Sequence, residues 1–283
     1  MDTPKLTIGM ATYDDFDGVF FTIQSLRAYF PMCMSDRVEF ILIDNNPSGK
    51  HAEANKKLMN WVKNGKYIPY TARTTTAVRN EIFKNATGKY TISMDCHVML
   101  MPGALGGLLD YYNKNPDCKD IVQGPLMYDG LEGCLTHFAP IWGEAMYGKW
   151  RCDKEGLASG EAFDIPMQGL GVFSCETKNW RGFNKLFKGF GGEEGYIHEK
   201  FRQMGGRSVC VPQFKWIHRF ARPEGVKYPL ILEDRVWNYF IGWMELQGPE
   251  GEMLDTIEEV FTKKIPAWSV KQIREKARKA LKL

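Results

Sequence analysis

The chain has 283 residues, of which 44% are hydrophobic and 25% are charged, with a formal net charge of +3. This composition is ordinary for a soluble globular protein and excludes wholesale disorder. The most apolar segment, residues 236–244, lies between Arg235 and Glu245 and is too short to span a bilayer. The first residues also lack the basic start and the long apolar run of a signal peptide, so we expect no export.

Seven cysteines are scattered along the chain without a CxxC pair. An odd number without close spacing favours free thiols over a disulfide framework or a zinc knuckle. Because free thiols persist in a reducing compartment, we expect a cytoplasmic protein.

The first hundred residues alternate predicted strands with predicted helices. Residues 38–44 are almost entirely apolar, which is typical of a strand buried on both faces of a parallel sheet. The predicted strands are residues 5–13, 38–44, 67–70 and 90–94, and the predicted helices are residues 18–29, 51–64 and 75–85. This alternation predicts an α/β fold with a Rossmann-like, doubly wound, mostly parallel sheet. Ligands bind beyond the carboxyl ends of the strands in such sheets.

The pattern weakens in the second half of the chain. The predicted helices there are residues 102–113 and 194–204, and the predicted strands are residues 121–124 and 208–211. Residues 128–165 show no clear period, and they contain Trp142 and Trp150. Long irregular segments are typical of functional loops, which is what we expect here.

The chain ends in a basic segment. From residue 261 onward, eight Lys or Arg residues accompany a single acidic residue. Ser269 and Gln272 match a helical capping box, and the apolar residues that follow recur at helical spacing. Two interpretations stay open: the helix packs its apolar edge on the domain, or it binds an acidic partner such as nucleic acid or an anionic lipid surface.

The predicted strand at residues 90–94 ends in Asp95-Cys96-His97. Residues i and i+2 of an extended strand point to the same side, so Asp95 and His97 can bind one ion. A carboxylate oxygen combined with an imidazole nitrogen suits Mn²⁺ better than Ca²⁺. The alternative for this triplet alone is an ordinary strand end with an incidental histidine.

Several separated motifs follow one another in a specific order. They are Thr12-Tyr13 after the first strand, Asp44 after the second, Arg79-Asn80 in the third helix, Asp95-x-His97, and Gly191-Gly192-Glu193-Glu194. In this order they resemble a nucleotide-sugar glycosyltransferase of the GT-A fold, similar to glycosyltransferase family 2. Asp-x-His stands where most members have Asp-x-Asp, and in this the chain also resembles the polypeptide N-acetylgalactosaminyltransferases.

The resemblance implies a function for individual residues. The nucleotide would be bound by Thr12, Tyr13, Asp44, Arg79 and Asp95. A Mn²⁺ or Mg²⁺ ion would be held by Asp95, His97 and the distant His218. Such an ion stabilises the negative charge that develops on the diphosphate as the sugar–phosphate bond breaks. Apart from the resemblance, we expect Arg219 and Arg222 to contact the phosphates, because they are close to His218 in the sequence and arginine binds phosphate.

Glu193 and Glu194 stand at the start of a predicted helix, where negative charge is favourable. If the enzyme inverts, the resemblance implies that one of the two carboxylates is the general base on the acceptor hydroxyl. We favour Glu194 as this base, with Glu193 holding the sugar hydroxyls. If it retains, as the Asp-x-His enzymes do, both carboxylates only orient substrates. The histidine in the triplet favours retention slightly.

We therefore expect a metal-dependent glycosyltransferase that moves a sugar from a nucleotide diphosphate to a hydroxyl acceptor. The nucleotide we expect is UDP. The basic tail and the tryptophans suit a polyanionic acceptor such as the hydroxymethylated bases made in some phage DNA, while protein, lipid-linked and polysaccharide acceptors stay open. One alternative is a sugar-1-phosphate nucleotidyltransferase, although residues 11–18 lack the glycine-rich basic loop of those enzymes. The other alternative is a non-catalytic sugar- or nucleotide-binding module.

The expected organisation has two parts. Residues 1–225 form the catalytic domain, with a nucleotide-binding half at about 1–100 and an acceptor half at about 101–225. Residues 226–283 form a helical C-terminal extension with the basic tail.

Overall fold

A computed structural model describes residues 6–221 and 225–283 of the chain. Its main sheet has eight strands. They are β1 (Leu6–Thr12), β2 (Val38–Asp44), β3 (Gly65–Pro69), β4 (Tyr90–Asp95), β6 (Ile121–Gln123), β10 (Phe163–Asp164), β11 (Val172–Glu176) and β12 (Ser208–Cys210). Their order across the sheet is β10-β12-β6-β11-β4-β1-β2-β3. The two smaller sheets consist of β5 (Val98–Leu100), β13 (Trp216–His218) and β7 (Leu126–Met127), and of β8 (His137–Gly143) and β9 (Met146–Arg151).

Helices cover both faces of the main sheet. They are α1 (Phe16–Tyr29), α2 (Ala52–Trp61), α3 (Arg79–Asn85), α4 (Ala104–Lys114), α5 (Lys154–Ser159), α6 (Glu194–Gln203), α7 (Leu232–Gln247), α8 (Glu252–Thr262) and α9 (Ala267–Leu281). The predicted α/β class with a mostly parallel sheet and C-terminal helices is confirmed. None of the helices in the described ranges has the length and apolarity needed to cross a membrane.

Strand β2 is apolar on both of its faces because each face packs against a different set of helices. Phe40 and Leu42 belong to the core that includes α1, α2 and α4. Ile41 and Ile43 belong to the core that includes α3, α6 and the three C-terminal helices. Successive strand residues point to opposite faces, so a two-sided core requires an unbroken apolar run.

The carboxyl ends of β1, β2 and β4 meet at one edge of the sheet. Strand β1 pairs in parallel with both neighbours, and the register sets Thr12 beside Asp44 and Ala11 beside Asp95. Parallel pairing therefore brings the ends of three strands, distant in sequence, to the edge where α/β sheets bind ligands.

Residues 137–151 form the β8–β9 hairpin, so the prediction of an irregular region across residues 128–165 is wrong for this part. Two features make the hairpin hard to predict from the sequence. The pairing register shifts between Ala139 and Trp142, and the turn has Glu144 at a position with a positive φ of 55°. Two-residue hairpin turns usually have Asn or Gly at the position with positive φ, which makes them recognisable in a sequence. Trp142 packs on Tyr239 and Trp150 on Phe138, so both indoles are partly buried against other aromatic rings of the protein.

The C-terminal helices are part of the same core as the sheet. Val270 and Ala277 of α9 are fully buried, which confirms that this helix packs its apolar edge on the rest of the protein. The predicted capping box is wrong, since α9 begins at Ala267 with Pro266 as its N-cap and Ser269 lies inside the first turn. The basic tail is partly neutralised, because Arg274 lies 2.9 Å from carboxylates of α8.

The seven cysteines are free thiols, as predicted. Five of them are buried, while Cys134 is partly exposed and Cys152 is exposed.

Candidate active site

A cavity of about 290 Å³ opens beyond the carboxyl ends of β1 and β4. The end of β1 and the loop to α1 form one wall, and they contribute Thr12, Tyr13 and Asp15. The end of β4 and the turn after it contribute Asp95 and His97 to another wall. The cavity thus lies where the alternating pattern of strands and helices predicts a ligand site.

Asp95, His97 and His218 form a cluster at this cavity, which we call the Asp95 cluster. The Nε2 atoms of His97 and His218 lie 3.9 Å and 3.7 Å from the same oxygen of Asp95, Oδ2. One nitrogen or oxygen atom of each residue lies within 4.8 Å of the corresponding atoms of the others. The convergence of Asp95 and His97 follows the sequence expectation, although His97 lies in a turn after β4 and not in an extended strand.

His218 reaches the Asp95 cluster through strand pairing. Strand β13 runs antiparallel to β5, and the register sets His218 beside Val98, the residue after His97. The two imidazole rings are perpendicular, with centroids 4.9 Å apart. Nδ1 of His218 is buried and has no hydrogen-bond partner among the described residues. The small sheet therefore joins two histidines that are far apart in sequence.

Arg79 connects the Asp95 cluster to Glu193. Its guanidinium donates a 2.8 Å hydrogen bond to Oδ1 of Asp95 and lies 3.8 Å from Oε1 of Glu193. Burial by itself would raise the pKa of Asp95, but the charge of Arg79, together with the nearby imidazole of His218, outweighs it, so this pKa lies below its usual value. Asp95 is therefore ionised and able to bind a cation.

Glu193 and Glu194 follow two glycines with φ values of +98° and +91°, at Gly191 and Gly192. This left-handed turn delivers both carboxylates to the start of α6. Burial and the charge of Glu194 raise the pKa of Glu193, and burial also raises that of Glu194. The two residues are only 1% and 8% exposed, and neither lines the cavity.

The predicted nucleotide-binding residues divide into two groups. Thr12, Tyr13, Arg79 and Asp95 all line the cavity. Asp44 does not, because it is 1% exposed and its carboxylate accepts a hydrogen bond from the hydroxyl of Tyr67 at 2.7 Å. Asp44 also accepts from the backbone N–H of Asn46 and so fixes the turn after β2.

Of the two arginines predicted to contact phosphates, Arg219 lines the cavity and its guanidinium lies 3.4 Å from Oδ1 of Asp15. Arg222 lies outside the described residues.

The sequence analysis did not identify Asp15 and Cys96 as site residues. Oδ2 of Asp15 lies 3.4 Å from Nδ1 of His97, and the thiol of Cys96 lies 3.7 Å from the same nitrogen. Burial would raise the pKa of Asp15, but hydrogen bonds from His97 and Gly18 lower it to about 2. The only signal for Asp15 in the local sequence is the acidity of the loop after β1. The same composition disfavours a nucleotidyltransferase.

The donor set of the Asp95 cluster fits a divalent ion. One carboxylate oxygen and two imidazole nitrogens suit Mn²⁺ and related ions. Asp15 is placed to orient His97, since a carboxylate at Nδ1 leaves Nε2 directed at Asp95.

Comparisons with known proteins agree with this architecture. The family model described as "Glycosyl transferase family 2" matches residues 7–148, half of the chain. No curated protein matches the sequence. Among solved structures, GalNAc-T7 with UDP, GalNAc and Mn²⁺ superposes with a TM-score of 0.71 at 17% identity, over 98% of this chain and 55% of its own. This chain therefore spans about half the length of GalNAc-T7.

Two further structures are similar. The mannosyltransferase PcManGT from Pyrobaculum calidifontis, in complex with GDP-Man and Mn²⁺, has a TM-score of 0.55 at 12% identity, over 98% of this chain and 74% of its own. TarS from S. aureus has a TM-score of 0.54 at 12% identity, over 95% of this chain and 42% of its own. At these identities the likeness shows the fold, which is the GT-A fold expected from the sequence. With the family match over half of its length, the chain belongs to glycosyl transferase family 2.

Proposed function

We propose that the protein is a metal-dependent glycosyltransferase that transfers a sugar from a nucleotide diphosphate to a hydroxyl acceptor. The observation that carries this proposal is the Asp95 cluster, whose three side chains converge beside a cavity at the carboxyl ends of the parallel strands. Thr12 and Arg79, to which the family resemblance assigns nucleotide binding, line the same cavity.

The chain's own residues bind and orient the donor. Asp95, His97 and His218 hold a divalent ion, which when bound supplies positive charge to the leaving diphosphate. Arg79 keeps Asp95 ionised and fixed in direction by a 2.8 Å hydrogen bond. Thr12 and Tyr13 lie on the wall formed by the end of β1 and the loop after it, where the nucleoside would bind.

The donor we propose is a UDP-sugar, and the ion is Mn²⁺ or Mg²⁺. This choice is supported by the likeness to GalNAc-T7, which was solved with UDP, GalNAc and Mn²⁺. The mannosyltransferase was solved with GDP-Man and Mn²⁺, so a GDP-sugar is the second donor to test.

For Glu193 and Glu194 the geometry favours orientation over proton abstraction. Both carboxylates are buried and Glu193 lies 3.8 Å from Arg79, so it acts on the donor through that arginine. This arrangement agrees with the retaining alternative, in which neither carboxylate serves as a base.

The acceptor we propose to test first is a polyanion, and in particular DNA with hydroxymethylated bases. The support is the basic tail, in which Lys276, Lys279 and Lys282 are exposed on or beside α9. The tryptophans of the β8–β9 hairpin do not add to this support, since each packs against another aromatic ring of the protein and is partly buried. No feature of the described residues favours the nucleotidyltransferase alternative.

A screen of nucleotide sugars for Mn²⁺-dependent hydrolysis, read by release of the free nucleotide, tests the proposal. We expect turnover of at least one UDP-sugar and an at least about hundredfold loss in Asp95→Ala, since a metal contributes several kcal/mol to the transition state. The matched control is Asp110→Ala, an exposed aspartate on α4. The proposal is wrong if no nucleotide sugar is bound or turned over, or if Asp95→Ala behaves like the control.

A further inference from the structure

His97 belongs to two groups of metal-binding side chains, one at each nitrogen of its ring. Nε2 faces Asp95 within the Asp95 cluster. Nδ1 faces Asp15 and Cys96, and these three residues also bring one ligand atom each to within 4.8 Å of the others. We call this second group the Cys96 cluster. It differs from the first in containing a thiol.

The spacing of the Cys96 cluster matches a tetrahedral zinc site. With bonds of about 2.3 Å to sulfur and about 2.0–2.2 Å to nitrogen and oxygen, a tetrahedral zinc separates sulfur from either ligand by about 3.6 Å and nitrogen from oxygen by about 3.4 Å. The thiol of Cys96 lies 3.7 Å from Nδ1 of His97 and 3.8 Å from Oδ2 of Asp15. Nδ1 and Oδ2 lie 3.4 Å apart. Binding would require shifts of only a few tenths of an ångström.

The two oxygens of Asp15 have separate partners, which leaves one directed at the cluster. Oδ1 accepts a 2.9 Å hydrogen bond from the N–H of Gly18, as the N-cap of α1, and lies 3.4 Å from the guanidinium of Arg219. Oδ2 faces the thiol and the imidazole. A bound ion therefore leaves the helix cap intact.

The Cys96 cluster is accessible from the cavity, and its chemistry selects a thiophilic ion. Asp15, Cys96 and His97 all line the cavity, so a water molecule can supply the fourth ligand, as in zinc sites with three protein ligands. A thiolate favours Zn²⁺ or Cd²⁺ over a hard ion such as Mn²⁺.

We propose that Asp15, Cys96 and His97 form a second metal site, which takes Zn²⁺ or Cd²⁺, and that an ion in this site excludes Mn²⁺ from the Asp95 cluster. The exclusion follows from the imidazole of His97, which in its neutral form has one lone-pair nitrogen and one N–H. When Nδ1 binds zinc, Nε2 carries the proton and cannot bind a metal beside Asp95. The exclusion of Mn²⁺ depends on the proposed Mn²⁺ site at the Asp95 cluster. The zinc site itself does not depend on that proposal.

Thiophilic metals would thus inhibit the enzyme by competing with its own activating ion. The cysteine in the middle of the Asp-x-His triplet acquires a function of its own, which is to make the metal site sensitive to zinc.

The test is a Cd²⁺ titration followed by the thiolate-to-cadmium charge-transfer absorption in the ultraviolet. It uses the full chain carrying Cys134→Ser and Cys152→Ser, because these thiols are at least partly exposed and would bind cadmium themselves. We expect a band that saturates at one equivalent, disappears when Cys96→Ser is added and persists with His218→Ala. Absence of the band, or its survival in Cys96→Ser, overturns the site.

A second variant guards against loss of the fold in Cys96→Ser, whose folding is checked by circular dichroism. We expect Asp15→Asn to bind Cd²⁺ at least about tenfold more weakly, since even outer-shell partners contribute that much to metal affinity. Unchanged affinity in Asp15→Asn overturns the assignment of Asp15.

The exclusion is tested by electron paramagnetic resonance of bound Mn²⁺. Half-release of Mn²⁺ should need less Cd²⁺ with Cys96 present than in the Cys96→Ser variant, in which Cd²⁺ can compete only at the Asp95 cluster itself. Retention of Mn²⁺ beside a full cadmium band overturns the exclusion. If the protein binds no Mn²⁺ at all, the proposed function and the exclusion fail together, whereas the cadmium band still decides the second site.

Discussion

Arg79 shows how a single side chain links the two acidic parts of the site. It is 7% exposed and lies between Asp95 and Glu193. The Asp95 carboxylate is partly buried, and removing its guanidinium partner would leave its charge uncompensated. The position and the charge of Asp95 therefore depend on this arginine.

The raised pKa of Glu193 makes stability depend on pH. Burial and the charge of Glu194 raise this pKa in the folded state, so the folded protein binds more protons than the unfolded chain above the usual glutamate pKa. The free energy of unfolding must then fall as the pH rises from that usual value through the raised one. Glu193→Gln removes this titration.

We therefore expect the difference in melting temperature, Glu193→Gln minus wild type, to increase as the pH rises from about 4 to about 9. This range spans the usual and the raised pKa of the Glu193 carboxyl. Thermal melts followed by circular dichroism across this range measure the effect. The control is Glu250→Gln, an exposed glutamate whose melting curve should stay parallel to that of the wild type. Parallel curves for Glu193→Gln would contradict the raised pKa.

Sequence reasoning identified Asp95 and His97 because they are neighbours in the chain, but it missed Asp15. The contact between Asp15 and Cys96 spans 81 positions, from the loop after β1 to the turn after β4. No local pattern encodes such a contact, since it arises only when the two parallel strands pair. Similarly, Asp44 ends β2 as expected, but only the folded structure shows that Tyr67 covers its carboxylate.

At the level of elements, strands were predicted more closely than the start of α3. The apolar run at residues 38–44 matches β2 residue for residue. The helix expected from residue 75 begins at Arg79, because Thr76–Val78 form a 3₁₀ turn capped by the hydroxyl of Thr75. A short 3₁₀ turn has almost the same local pattern as an α-helix, so hydrophobic spacing does not distinguish them.

The packing of α8 gives a prediction at the same scale. Leu254 is fully buried in the core that contains α6, α7 and α9. We expect Leu254→Ala to lower the free energy of unfolding by about 2–5 kcal/mol, the range for removing a large buried aliphatic side chain. Urea denaturation followed by tryptophan fluorescence measures it.

The matched control is Leu230→Ala, since Leu230 is 59% exposed. Its effect should stay within about 0.5 kcal/mol. If both variants lose the same free energy, the C-terminal helices do not share the core of the sheet.

For the whole molecule, the charge asymmetry predicted from the sequence is partly cancelled by folding. Arg274 and Lys263 pair with acidic residues of α8, which leaves the end of α9 as the more basic part. The alternation of predicted strands and helices predicted an α/β protein, but the sequence did not show which charges remain available to a partner, because that depends on how α8 and α9 pack.

If the acceptor is DNA, the end of the tail should contribute to binding by neutralising phosphates. Replacing Lys276, Lys279 and Lys282 by glutamine should weaken binding of DNA with hydroxymethylated bases and lower the slope of log affinity against log salt by about 0.9 for each phosphate that is no longer neutralised. Fluorescence anisotropy at several salt concentrations measures this slope. The same change at Lys56, Lys57 and Lys63 is the control, and an equal effect of both triple variants would contradict a tail-specific interaction.

The most direct test of the central claim is a Mn²⁺ titration of the metal-free protein by electron paramagnetic resonance, with and without UDP. We predict one bound Mn²⁺, tightened by UDP, and an at least about tenfold weaker affinity in His218→Ala. His137→Ala, which alters a histidine of the β8–β9 hairpin, should bind like the wild type. Wild-type affinity in His218→Ala, or no bound Mn²⁺ in the wild type, would contradict a metal centre formed by Asp95, His97 and His218.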